Sequence, residues 1–109
     1  MSEHTLKQLA EKIAKVSDTY AQRCNIARDD DWYLLKIGEE LGELNAEYLR
    51  MTNRGRFDAT RTPENVREAL EDEVADVCAQ LLLFAQHNGI DVERALARKW
   101  FKYLPQEER

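Results

Sequence analysis

The feature of this chain that most constrains its fold is a pair of acidic words set inside apolar stretches: Glu39-Glu40-Leu41-Gly42-Glu43, and Glu73-Val74-Ala75-Asp76 about thirty residues further on. At roughly 100° per residue, Glu39, Glu43 and Glu40 fall at about 0°, 40° and 100° around one helix, while Glu73 and Asp76 sit one turn apart on another. A fold that joins these faces gathers five carboxylates that repel one another and find few cations on their own helices. A hard divalent cation neutralises such a set. Mg²⁺ takes oxygen ligands and keeps waters that a substrate phosphate can replace, and Mn²⁺ is the alternative occupant.

With 109 residues the chain is expected to form one domain, residues 1–109, small enough for association to help it. Four glycines, two prolines and a charged fraction of 34% suit helices better than a multi-stranded sheet. The net charge of −5 argues against a nucleic-acid polymer or an anionic membrane as partner. A small phosphorylated ligand held through a metal is compatible with it. The chain has no apolar run of membrane-spanning length, and Met1-Ser2-Glu3-His4 lacks a charged and then apolar leader, so a cytoplasmic location is expected. Cys24 and Cys78 fall on apolar faces without ligand spacing, and buried, reduced thiols are expected.

Leu6, Leu9, Ile13, Val16, Tyr20 and Cys24 step by three and four, which predicts a first helix from Thr5 to Asn25. Asp30 or Asp31 caps a second, from Trp32 to Thr52, with an apolar stripe of Leu34, Ile37, Leu41, Leu44 and Tyr48. Beside it Gly38, Gly42 and Ala46 form a smooth strip, and the acids occupy the remaining face. Two glycines inside a helix cost roughly 1 kcal/mol each relative to Ala, which points to a close helix contact and to self-association through this surface. Thr62-Pro63 and Asn88-Gly89 bound a third helix, whose buried arc is Val66, Leu70, Val77, Cys78, Leu81 and Phe84; Asp91 opens a fourth, from Val92 to Leu104, halted by Pro105. The fold class is therefore all-α, a four-helix bundle-type subunit in a homo-oligomer, dimer or tetramer. The long connection after the second helix carries Arg54, Arg56 and Arg61 close behind Arg50, within reach of substrate phosphates or simply solvated. Trp32 and Trp100 are candidates for stacking on a nucleobase, against a core or interface role.

The run Lys36-Ile37-Gly38-Glu39-Glu40-Leu41-Gly42-Glu43-Leu44, followed by Glu71-Asp72-Glu73-Val74-Ala75-Asp76-Val77, resembles the EExxE and ExxD pair of the all-α NTP pyrophosphohydrolases, in particular the MazG-like branch. Gly89-Ile90-Asp91-Val92-Glu93-Arg94-Ala95-Leu96 with Lys99 is similar to that branch's third segment. The resemblance implies Mg²⁺-dependent cleavage of a nucleoside triphosphate, most directly a dNTP, between the α and β phosphates, giving the monophosphate and pyrophosphate and serving to remove noncanonical or excess nucleotides. It implies metal binding by Glu39, Glu40, Glu43, Glu73 and Asp76, and phosphate contact by Lys99. Where members carry an Asn and a basic residue beyond that Lys, this chain has Tyr103-Leu104-Pro105, and Lys102 stands in for one of them.

In this reading one unliganded carboxylate, assigned as Glu40, orients a water for in-line attack, and Lys36, Arg54, Lys99, Lys102 and Trp32 are the expected substrate-binding residues. Two other readings stay open. Phosphoribosyl-ATP pyrophosphohydrolase shares the Lys-Ile-Gly-Glu-Glu word, and a non-catalytic helical interaction module would use the acids as a docking face.

Overall fold

A computed structural model describes residues 3–56 and 58–109; Met1, Ser2 and Phe57 of the long connection lie outside the described residues. Its helices are α1 (Leu6–Cys24), α2 (Asp30–Met51), α3 (Pro63–His87) and α4 (Val92–Lys99), followed by single 3-10 turns at Phe101–Tyr103 and Gln106–Glu108. Among the described residues there is no strand, and no helix is long and apolar enough to cross a membrane. The chain falls into two compact units, one from the N-terminus to Ala27 together with Leu82–Arg109, the other Arg28–Leu81.

Local chemistry explains each helix boundary. Thr5 and Gln8 form a reciprocal capping box at the start of α1, and Asn25, in the left-handed conformation, ends it. α2 begins earlier than its apolar pattern suggests, because Asp29 is the cap: its carboxylate accepts the Trp32 amide at 2.8 Å. Asp30 and Asp31 then sit in the first turn, where negative charge suits the helix dipole. Thr62 accepts the Asn65 amide at the start of α3, and Gly89, at φ 65°, follows its end. α4 is shorter than expected. Trp100 caps it while still in the right-handed region, the chain tightens into a 3-10 turn, and Leu104 is extended ahead of Pro105.

The unit Arg28–Leu81 holds α2 and the first part of α3. Its acidic cluster brings Glu40 beside Glu73, each about ten residues from the connection, and Arg61 at the far end of that connection bonds Glu47 of α2. The two helices thus form an antiparallel hairpin. α2 is rotated relative to the expectation from its apolar stripe. Tyr33 and Glu40 are buried and Ile37, Leu44 and Glu47 half-buried, whereas Leu34, Leu41 and Tyr48 are exposed. A Cβ at Gly38 or Gly42 would meet nothing within 4 Å among the described residues. Gly55, by contrast, packs tightly under α2: a Cβ there would lie 3.0 Å from the Arg50 backbone nitrogen.

In the other unit Ala21, Leu82, Leu83 and Ala85 are buried. The expected stripe of α1 is displaced as well, with Leu9, Val16 and Tyr20 exposed, and of the arc expected on α3 only Val66, Leu70, Val77 and Phe84 are partly buried. Both cysteines, expected inside, are exposed. The shift of the α2 cap is directly testable. Asp29→Ala should lower stability by about 1 kcal/mol in urea denaturation, and Asp31→Ala by about half that or less, since it loses only a charge–dipole interaction.

Candidate metal centre

Glu40 comes from the middle of α2, and Glu73 and Asp76 from successive turns of α3. One carboxylate oxygen of each lies within 4.8 Å of the other two, a spacing that a single small cation can span. Glu40 is only 8% exposed, Glu73 is half-buried and Asp76 reaches solvent, so the cluster runs from the hairpin interior to its surface. The Oε2 atoms of Glu40 and Glu73 are buried without a hydrogen-bond partner. Buried carboxylate oxygens without a donor are unfavourable, and a cation satisfies them. The residues present therefore fit a divalent metal.

Proton affinity reflects the same crowding. Burial, above all, pushes Glu40 up to about 7, helped by its contact with Glu43, the charges of Glu43 and Asp76, and its contact with Glu73. Glu73 is raised too, first by burial; its hydrogen bond with Glu40 opposes the shift and the charges of Glu43 and Asp76 add to it.

Glu39 lies on the exposed side of α2 away from the three converging acids, whereas Glu43, also exposed, is not one of the three but contacts Glu40 and Glu73. Lys36 bonds Glu39 and stands 3.8 Å from Glu40, with its ammonium 6.0 Å from the centre of the Trp32 ring. Its proton affinity is raised mainly by that bond to Glu39. Trp32 in turn meets Tyr33 edge to face. Lys36 is thus a cation at the margin of the cluster, already partly engaged.

Glu47 shows what a half-buried acid of this helix looks like when the protein itself supplies the counter-charge. It lies on the same face as Glu40, two turns along, and its two oxygens accept from Arg50 and, at 3.0 Å, from Arg61. Two of the basic residues near the connection, Arg50 and Arg61, are tied to Glu47, and Arg54 bonds Thr52 and lies over the Tyr48 ring. A cavity of about 400 Å³ opens beside them, lined by Arg50, Arg56, Asp58, Arg61, Pro63 and Val66 among others.

Lys99 ends α4 and Lys102, in the following turn, lies over the Tyr103 ring; both belong to the unit with α1. One residue the sequence reading missed is Gln80, whose buried Oε1 has no partner. Its position one turn beyond Asp76 on the face of Glu73 was the available signal. No protein family, no curated protein and no solved structure matches the chain.

The buried acid makes stability depend on pH. Glu40 binds its proton more tightly folded, at about 7, than unfolded, at 4.5. Its contribution is therefore fully present below pH 4.5 and is lost as pH rises through 7, on the order of 3 kcal/mol in all. Glu73 shifts in the same direction. Without metal, the melting temperature should fall between pH 5 and 8, and Glu40→Gln should remove most of that slope. A wild-type slope retained in Glu40→Gln would show that Glu40 is not its source.

Proposed function

We propose that the chain is a Mg²⁺-dependent nucleoside triphosphate pyrophosphohydrolase that cleaves (d)NTPs between the α and β phosphates. The observation that carries the proposal is the convergence of Glu40, Glu73 and Asp76 with two buried carboxylate oxygens left without donors. Single acidic helix faces are common; acids from two helices meeting inside a hairpin, unneutralised, are not. The resemblance of the two acidic words to the all-α pyrophosphohydrolases supplies the reaction.

In this proposal Glu40, Glu73 and Asp76 hold the cation, and Glu43, at the solvent side of Glu40, completes the set. A bound Mg²⁺ supplies charge neutralisation for the triphosphate and acidifies a coordinated water. Glu40 would offer the cation one oxygen and is the proposed general base through the other. Lys36, partly engaged by Glu39, is placed to exchange that partner for a phosphate oxygen, and Trp32 beside it offers a face for a nucleobase. Neither Ser, Cys nor His is needed as a nucleophile.

The decisive measurement is a panel of NTPs and dNTPs, with and without Mg²⁺, assayed for monophosphate and pyrophosphate. Release of orthophosphate and a diphosphate would exclude α,β cleavage. Glu73→Gln should lose at least 100-fold in turnover and most of the Mg²⁺-induced rise in melting temperature. A variant that kept both would remove the metal reading and leave a docking face for a basic partner as the account of the acids.

A further inference from the structure

At the connection end of the α2–α3 hairpin, cations outnumber the acids set among them. Arg50, Arg56 and Arg61 line the cavity of about 400 Å³ there, with Asp58 as the acid among its described lining residues. Glu47 takes one nitrogen from each of Arg50 and Arg61. A guanidinium carries five N–H donors, so most donors of these two are left over. Arg56 is exposed, and its guanidinium has neither an ion pair nor a hydrogen bond among the described residues. Asp58 is occupied by Thr60, whose hydroxyl and amide both donate to its Oδ1. Those bonds first, and then the charges of Arg61 and Arg50, hold its carboxyl below the usual carboxylate range. Three guanidiniums against the carboxylates of Glu47 and Asp58 leave a positive excess in a chain whose net charge is −5. Thr62 and Pro63, where α3 begins, also line the cavity, and the helix dipole favours negative charge at that end.

We propose that this cavity binds the phosphate group of a small anion, as a site separate from the carboxylate cluster. Its volume is that of a small-molecule site. Donor chemistry selects phosphate. Glu47 shows what a carboxylate does between these side chains, with two oxygens and one guanidinium on each. Arg56 and the remaining N–H groups of Arg50 and Arg61 call for more acceptor oxygens than a second carboxylate carries. A phosphate offers three around a tetrahedral centre, and planar guanidinium forks match it. Distance makes the site independent. All of these residues belong to the unit Arg28–Leu81. Arg50 stands ten residues beyond Glu40 on α2 and Pro63 ten before Glu73 on α3, which puts the cavity about 15 Å along the hairpin from the acids. A triphosphate with its α phosphate at those acids does not extend that far. The arginines of the connection therefore serve a second anion.

Titration of the full chain with inorganic phosphate, pyrophosphate or AMP in metal-free buffer, followed by amide NMR, tests this. Without a divalent ion the acidic cluster repels all three, so binding there does not interfere. Saturable shifts are expected at Arg50, Gly55, Arg56 and Thr62, with a Kd that is millimolar or tighter. Preference for AMP identifies an organic phosphate as the ligand, and preference for phosphate or pyrophosphate a free oxyanion; both support the site. Arg56→Gln should weaken binding about tenfold with the melting temperature unchanged, since that guanidinium bonds nothing else among the described residues. Glu47→Gln, which releases Arg50 and Arg61 from their counter-charge, should tighten it about threefold. Shifts that sodium chloride reproduces at equal ionic strength, or an Arg56→Gln protein that binds all three anions like the parent, would overturn the proposal. None of these readouts involves a metal or hydrolysis, so their failure and that of the catalytic reading are separable.

Discussion

The meeting of Glu40 with Glu73 inside the α2–α3 hairpin is the constraint on which the rest of this unit depends. Burying two carboxylates between helices opposes folding, and the shift of Glu40 to about 7 records that opposition. The rotation of α2 that makes the contact also turns Leu34, Leu41 and Tyr48 outward. An isolated hairpin gains by the reverse arrangement, apolar residues inside and acids in water. That the chain does otherwise means that the buried acids and the exposed leucines require one explanation, since a single rotation produces both.

Two acids on the inner face of α2, buried Glu40 and half-buried Glu47, make the point by contrast. Glu47 is surrounded by protein cations, with Arg50 from the next turn and Arg61 from across the connection each bonding one oxygen. It ties the connection to the helix and leaves nothing unsatisfied. Glu40, two turns back, has Lys36 at 3.8 Å from one oxygen and no partner on the other. Arginine supplies planar donors and stays charged at any accessible pH, so it neutralises Glu47 permanently. At Glu40 the protein supplies Lys36 at the margin of one oxygen and no donor to the other, so its charge is offset less completely than that of Glu47.

The four helices were legible because capping residues and apolar periodicity act locally: Thr5, Thr62 and Asp91 cap as their sequence context indicates. The α2 cap was missed because Asp29, Asp30 and Asp31 are chemically equivalent in sequence, and only the path of the backbone selects among them. Periodicity also fails to give rotation. It locates an apolar stripe on α2 but not whether the hairpin buries it, and Leu34, Leu41 and Tyr48 of that stripe are exposed. For the same reason Cys24 and Cys78 were expected inside. At the site, Glu40, Glu73 and Asp76 were readable from spacing, whereas the separation of Glu39 from them, the place of Glu43 at their margin and the burial of Gln80 depend on the crossing of two helices.

Exposure grades the cluster in a way that bears on how a cation would enter. Asp76 reaches solvent, Glu73 is half-buried and Glu40 is buried, so charge is most accessible where desolvation is least. Asp76 would be the first ligand open to a hydrated ion, with the buried oxygens of Glu73 and Glu40 behind it. In the metal-free hairpin the raised proton affinity of Glu40, near 7, lets a proton offset the charge that burial disfavours, so the oxygen without a donor need not stand as a bare buried charge.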